Sequence, residues 1–278
     1  MNGFYSLWTS PSAAKGEYFM QDHELVTLLL SLAAFQENNG DCAMYADETA
    51  AAWLRERGLD KLFRRGLKPL QVPEDINASV FWAAGKLCAL KAEELPSVMI
   101  DTDLIIWKDL APDLKSRSIA VIHREDLREE IYPDPAGFKM KEGYARPADW
   151  DLTEKAANTA LLYIKDSAFR DAYVGQALDF MENCLEDSDR LCPMVFAEQR
   201  ILPMCAKQRG LELYSFVDSM ERLAEQRSFT HIWGHKDVLR YNTEERRSFI
   251  SRCMNRLSRD YPGVYAVAAG LKELEEYA

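Results

Sequence analysis

The spacing of apolar and polar positions divides the chain into short β-rich runs separated by helical stretches. In the first half, "GFYSLWTS", "DCAMYAD" and "LKPLQV" read as strands, and helical patterns over 20–37 and 48–57 separate them. That rhythm predicts an α/β fold with a mostly parallel central sheet flanked by helices. In "NASVFWAAGKLCALKAEEL", Val80, Ala83, Ala84, Leu87 and Leu90 recur at helical spacing behind Asn77, a residue type suited to a helix start. The helix leads into the apolar run "SVMIDTDLIIW", and "RSIAVIHRE" is expected to pair near it. Between 126 and 150 the periodicity is lost. Prolines, glycines and mixed charge in "YPDPAGFKMKEGYARPADW" predict an ordered loop or lid. Helical patterns over 167–183, 192–209, 243–258 and 264–277 then dominate, with strand-like "NTALLYIKD", "LELYSFVD" and "FTHIWGHKD" between them. No repeat or low-complexity linker interrupts the 278 residues, so a single domain is expected over 1–278, its helix-rich C-terminal half completing the sheet.

Composition narrows the functional classes. With 47% hydrophobic and 11% aromatic residues the chain can bury a substantial core, and a net charge of −11 disfavours nucleic acid and anionic lipid as partners. The longest apolar stretch, "LVTLLLSLAAF", falls well short of the roughly 17 residues of a spanning helix, so no membrane span is expected. "MNGFYSLWTS" has no basic-then-apolar leader pattern, and the expectation is a cytoplasmic protein. Cysteines 42, 88, 184, 192, 205 and 253 show no paired spacing and read as reduced thiols.

The chemistry concentrates in "LPSVMIDTDLIIWKDL". A carboxylate taken out of water without a partner costs several kcal/mol, so Asp101 and Asp103, framed by apolar residues, call for a positive partner. Continued strand alternation over 98–103 would put both on one side, at the carboxyl end of a strand, where open α/β sheets bind ligands.

This stretch resembles the D-x-D strand of metal-dependent, nucleotide-sugar glycosyltransferases of the GT-A fold, in particular the glycogenin-like and bacterial galactosyltransferase-like group. The resemblance implies a GT-A-like (Rossmann-like) fold and Mn2+ or Mg2+ held by Asp101 and Asp103 against the diphosphate of a nucleotide-sugar donor, a UDP-sugar above all. Further pieces follow in the family's order. Lys86 in "FWAAGKLCAL" stands where the family carries a donor-directed basic residue, usually Arg. Asn158 in "NTALLYI" corresponds to the sugar-pocket strand, with Ala160 in place of the usual glycine. Glu198 and Gln199 in "FAEQRIL" resemble the acidic–Gln pair that contacts the transferred sugar at a helix start. "HIWGHK" is similar to H-x-x-G-x-x-K, which implies His231 as the third metal ligand; Lys236 arrives one residue early beside His235, so the phosphate contact is left to either. Tyr5 and Thr9, with Phe4 and Trp8, lie where the family places base and ribose contacts. The implied activity is hexosyl transfer with retention to an unidentified acceptor (glycan, small molecule or protein). Residues 1–125 would form the nucleotide-binding half and 151–278 the sugar and acceptor half.

The residues support that set independently of the family. Two hard oxygens and one imidazole nitrogen suit manganese with positions left for phosphate oxygens. Two other readings stand beside it. A haloacid-dehalogenase-type phosphatase also sets D-x-D at a strand end, but Ile105 stands where that class wants Thr or Val. A noncatalytic nucleotide-sugar binding or interaction protein would keep the pocket without turnover. The acidic "LKELEEYA" argues against the basic, aromatic membrane-attachment tail of some bacterial relatives.

Overall fold

Phe4 and Tyr5, neighbours in the first strand, are both fully buried but belong to different apolar clusters, because successive strand side chains point to opposite faces. The computed structural model describes residues 1–16, 18–218 and 220–278. Its strands are β1 (Asn2–Leu7), β2 (Cys42–Ala46), β3 (Leu67–Pro69), β4 (Ser97–Ile100), β5 (Leu104–Ile106), β6 (Ile119–Glu125), β7 (Ala156–Ala157), β8 (Leu161–Ile164), β9 (Leu213–Val217) and β10 (Phe229–His231). The main sheet runs β3-β2-β1-β4-β8-β6-β7 with β9 beside β6, while β5 and β10 form a separate pair. Pairing is parallel among β3, β2, β1 and β4, as the strand–helix rhythm predicts. It turns antiparallel where β8 enters between β4 and β6, so the sheet is mixed.

Helices cover both faces. Leu25, Leu28, Leu32 and Phe35 of the Asp22–Asn38 helix pack with Ile250, Met254 and Leu257 of the Thr243–Asp260 helix against the Tyr5 side of the sheet. On the Phe4 side lie Leu87 of the Ala84–Ala92 helix, Phe169, Tyr173 and Phe180 of Ser167–Asn183, and Ile201 and Leu202 of Ile201–Gln208. This is an α/β fold with a central sheet between helical layers and a helix-rich C-terminal half.

Three elements differ from the sequence pattern. The helix expected behind Asn77 begins at Ala84, because the Asn77 carbonyl closes a turn onto Val80 and Phe81 and its side chain accepts from Ser79. The 192–209 helix is interrupted by a π-helical turn, Phe196–Arg200. The 264–277 helix ends early, as Pro262–Ala268, followed by a 3-10 turn at Glu275–Tyr277. Residues 126–150 are anchored: Phe138 packs edge-on against Phe180 and Phe196, and Trp150 Nε1 donates to Gln176 at 2.6 Å. The six cysteines are free thiols. Among the described residues, no helix is long and apolar enough to cross a membrane.

Candidate functional site

β4 stops at Ile100, and Asp101–Asp103 form a tight turn rather than continuing the strand. The Asp101 amide donates to the Ala160 carbonyl (2.8 Å), and the Leu104 amide donates to the Asp101 carbonyl (3.1 Å). Strand alternation over 98–103 is therefore corrected: the turn brings the carboxylates together, because β5 leaves the main sheet to pair with β10. In that pair His231 lies opposite Leu104, and the Ile232 amide donates to the Asp103 carbonyl at 3.0 Å. The long sequence gap between the aspartates and His231 is closed by this one short ladder.

Asp101, Asp103 and His231 each offer a ligand atom within 4.8 Å of the others. His231 Nε2 is 3.6 Å from Asp103 Oδ2, and its Nδ1 is buried without a hydrogen-bond partner. Two ammonium groups lie against the carboxylates. Lys86 Nζ is 2.6 Å from Asp101 Oδ1 and 2.5 Å from Glu198 Oε1, and Lys236 Nζ is 2.7 Å from Asp103 Oδ2. Two acidic oxygens and an imidazole nitrogen make a donor set that fits a divalent cation, with the two ammonium groups as its competitors for the carboxylates.

The local electrostatics separate the two aspartates. Burial pushes the Asp101 carboxyl up to about 6; Lys86 opposes the rise, and the neighbouring Asp103 and Glu198 charges add to it. Burial also resists the Asp103 charge, but Lys236 and His231 hold that carboxyl below the usual range. For Lys86, burial is outweighed by Asp101 and Glu198, which hold its ammonium above the usual lysine range. Burial lowers His231 to about 4, against the pull of Asp103, so the imidazole is neutral near pH 7.

Glu198 sits in the π-helical turn, about two turns into the helix rather than at its start, because the helix begins at Cys192 with Asp189 accepting from its amide. π turns recur at functional sites, where they re-aim side chains. Here the Glu198 carboxylate accepts from Lys86 and from the Thr159 hydroxyl (2.6 Å). Gln199 meets Tyr132, whose hydroxyl lies 2.7 Å from Gln199 Oε1 and 2.9 Å from Glu125 Oε2. Asn158 joins the same group by donating to Glu125 Oε1 at 3.0 Å. Glu125, Tyr132 and Thr159 were not among the sequence candidates. For Glu125 there was a signal, an acidic residue at the carboxyl end of an apolar strand. Tyr132 lies in the aperiodic 126–150 segment, which offers none.

A cleft of about 360 Å³ adjoins the aspartates, lined by Trp8, Tyr18, Phe19, His23 and Trp82 together with Asp103 and Lys236. His235 is exposed and does not line it. Tyr5 is fully buried, with its hydroxyl 2.9 Å from Ser31 Oγ. Thr9 donates its hydroxyl to Asp47 at 2.8 Å. The cleft therefore brings together Trp8, Asp103 and Lys236, and leaves Tyr5, Thr9 and His235 outside its lining.

Residues 1–269 match the model of a family of unknown function, DUF6734. No curated protein matches the chain significantly. Among solved structures, the galactosyltransferase LgtC in complex with donor and acceptor sugar analogs is similar at 14% identity and a TM-score of 0.40, over 71% of this chain and 70% of that one. The apo form of the glycosyltransferase GlyE in Streptococcus pneumoniae TIGR4 is similar at 14% identity and a TM-score of 0.39, over 80% of this chain and 45% of that one. Mouse xyloside xylosyltransferase 1 in its apo form is similar at 8% identity and a TM-score of 0.40, over 78% of this chain and 85% of that one.

Proposed function

We propose that this chain, which belongs to DUF6734, is a metal-dependent glycosyltransferase of GT-A type that moves a sugar from a nucleotide-sugar donor, a UDP-sugar, to an acceptor. The observation that carries the reading is the convergence of Asp101, Asp103 and His231 within 4.8 Å, beside a cleft shared by Asp103 and Lys236. In this reading the three residues hold Mn2+ or Mg2+, which when bound supplies Lewis-acid stabilisation of the departing diphosphate. The protein's own groups do the rest. Lys86 and Lys236 place positive charge where negative charge develops on the leaving group. Glu198 and Gln199, with Asn158 and Glu125, present acceptors and donors to sugar hydroxyls. The first 125 residues carry the nucleotide side and residues 151–278 the sugar and acceptor side.

Asp103→Asn tests the assignment, because it replaces a charged oxygen ligand by a neutral amide of equal size. Calorimetry is expected to show loss of manganese-dependent UDP binding in a variant that melts cooperatively. Unchanged manganese-dependent affinity would reject the metal site. Donor hydrolysis with manganese then separates an enzyme from the second reading, since a noncatalytic module binds UDP and releases no sugar.

A further inference from the structure

The cleft beside the metal-ligand candidates is lined by His23, which carries a buried polar atom that the proposed chemistry leaves unused. Of its lining residues, only His23 carries a buried side-chain nitrogen or oxygen without a hydrogen-bond partner, among the described residues: its Nε2. His23 lies in the first turn of the Asp22–Asn38 helix and is 2% exposed. Its Nδ1 is 3.3 Å from Asp22 Oδ1, and its backbone N–H donates to the same oxygen at 2.7 Å. Arg246 Nε stands 3.6 Å from the other oxygen of Asp22. An ionised carboxylate only accepts, so in the neutral tautomer that pairs with Asp22, Nδ1 is the donor and Nε2 keeps a lone pair.

Among the described residues, none supplies the missing donor. The Thr27 hydroxyl donates to the His23 carbonyl at 2.6 Å, and the Glu24 carboxylate accepts from the Gln21 amide at 3.1 Å. An unpaired buried acceptor is destabilising, and a ligand donor that reaches it recovers the loss. The rest of the lining describes that ligand. Trp8, Tyr18, Phe19 and Trp82 offer aromatic surface to a flat ring, and Lys236 offers positive charge to an anion.

Resting on the nucleotide-sugar reading, we infer that His23 Nε2 accepts the ring N–H of the donor's base. The cleft thereby selects a base with a lactam N–H, as in uracil, over cytosine, whose ring N3 at that place is itself an acceptor.

Calorimetry with UDP and CDP, each with manganese, tests this directly. Wild-type protein is expected to bind UDP at least about tenfold more tightly than CDP, the worth of one buried hydrogen bond. His23→Leu removes the acceptor and keeps bulk, so the UDP-to-CDP ratio is expected to fall to near unity through loss of UDP affinity. His23→Gln, whose amide oxygen can reach toward the Nε2 position, is expected to retain a preference for UDP. A wild-type ratio near unity, or one that survives in a folded His23→Leu, overturns the role of His23 while UDP binding itself upholds the nucleotide reading. If His23→Leu fails to fold, the wild-type ratio and the Gln variant decide. Wild-type protein that binds neither nucleotide overturns both.

Discussion

Replacing Lys86 by Met keeps the length of the side chain and removes its charge from between two carboxylates. Lys86 Nζ lies 2.6 Å from Asp101 and 2.5 Å from Glu198, and the three side chains are 15%, 26% and 2% exposed. Removing one partner from a buried ion pair costs about 3–5 kcal/mol, since the remaining charge is left uncompensated. Two features favour the lower end. Asp101 is a quarter exposed and takes up a proton readily, its carboxyl already lying at about 6. Glu198 retains the Thr159 hydroxyl at 2.6 Å. A loss of about 3 kcal/mol corresponds to a fall in Tm of roughly 6–12 °C for a chain of this size. Manganese is then expected to raise the Tm of the variant more than that of wild type, because the cation replaces the missing charge and no longer competes with an ammonium for Asp101. Thermal melts with and without manganese measure both effects. A metal-free Tm within about 2 °C of wild type would refute the argument, because it would mean that Lys86 does not hold these carboxylates against burial.

Two further outcomes follow from the same geometry. Manganese affinity is expected to weaken as pH falls through about 6, where Asp101 takes up a proton that competes with the cation, whereas His231, lowered to about 4, stays neutral over that range. Titrations of His231→Ala should show weaker binding with the same inflection, and loss of the inflection in that variant would assign it to the histidine instead. Lys236→Met is expected to raise affinity for manganese alone by about fivefold, because its half-exposed ammonium occupies Asp103, and to lower manganese-dependent UDP affinity. Equal or weaker manganese binding by that variant in calorimetry would contradict the competition.

The layered fold was legible because its signal is local. Apolar alternation in β1 puts Phe4 and Tyr5 on opposite faces, and the runs that pair with it in parallel carry their own strand patterns. What local pattern does not encode is where a strand stops. Alternation over 98–103 reads as a strand that continues through both aspartates, yet Ala160 takes the Asp101 amide and β5 departs to pair with β10. The same limit applies to Glu198. A continuous helical pattern from 192 gives no sign of a π turn, since the i to i+5 bonding follows from how the helix packs and not from its periodicity.

In "HIWGHK" local structure decides which of two neighbouring side chains meets an acid. By sequence position alone His235 and Lys236 are equally suited to meet an anion. The chain answers with a 3-10 turn over Trp233–His235, closed by the His235 amide donating to the Ile232 carbonyl at 2.7 Å. A 3-10 turn advances each residue by a larger angle than an α-helix does. It leads into the Lys236–Tyr241 helix with Lys236 facing Asp103 and His235 in solvent. The β5–β10 ladder fixes where this turn begins, because the Ile232 amide is held by the Asp103 carbonyl at 3.0 Å. The acid that the lysine meets is therefore the residue whose backbone anchors the turn. A shift of the lysine by one position along the helix, about 100° around its axis, would swing the ammonium away from that acid.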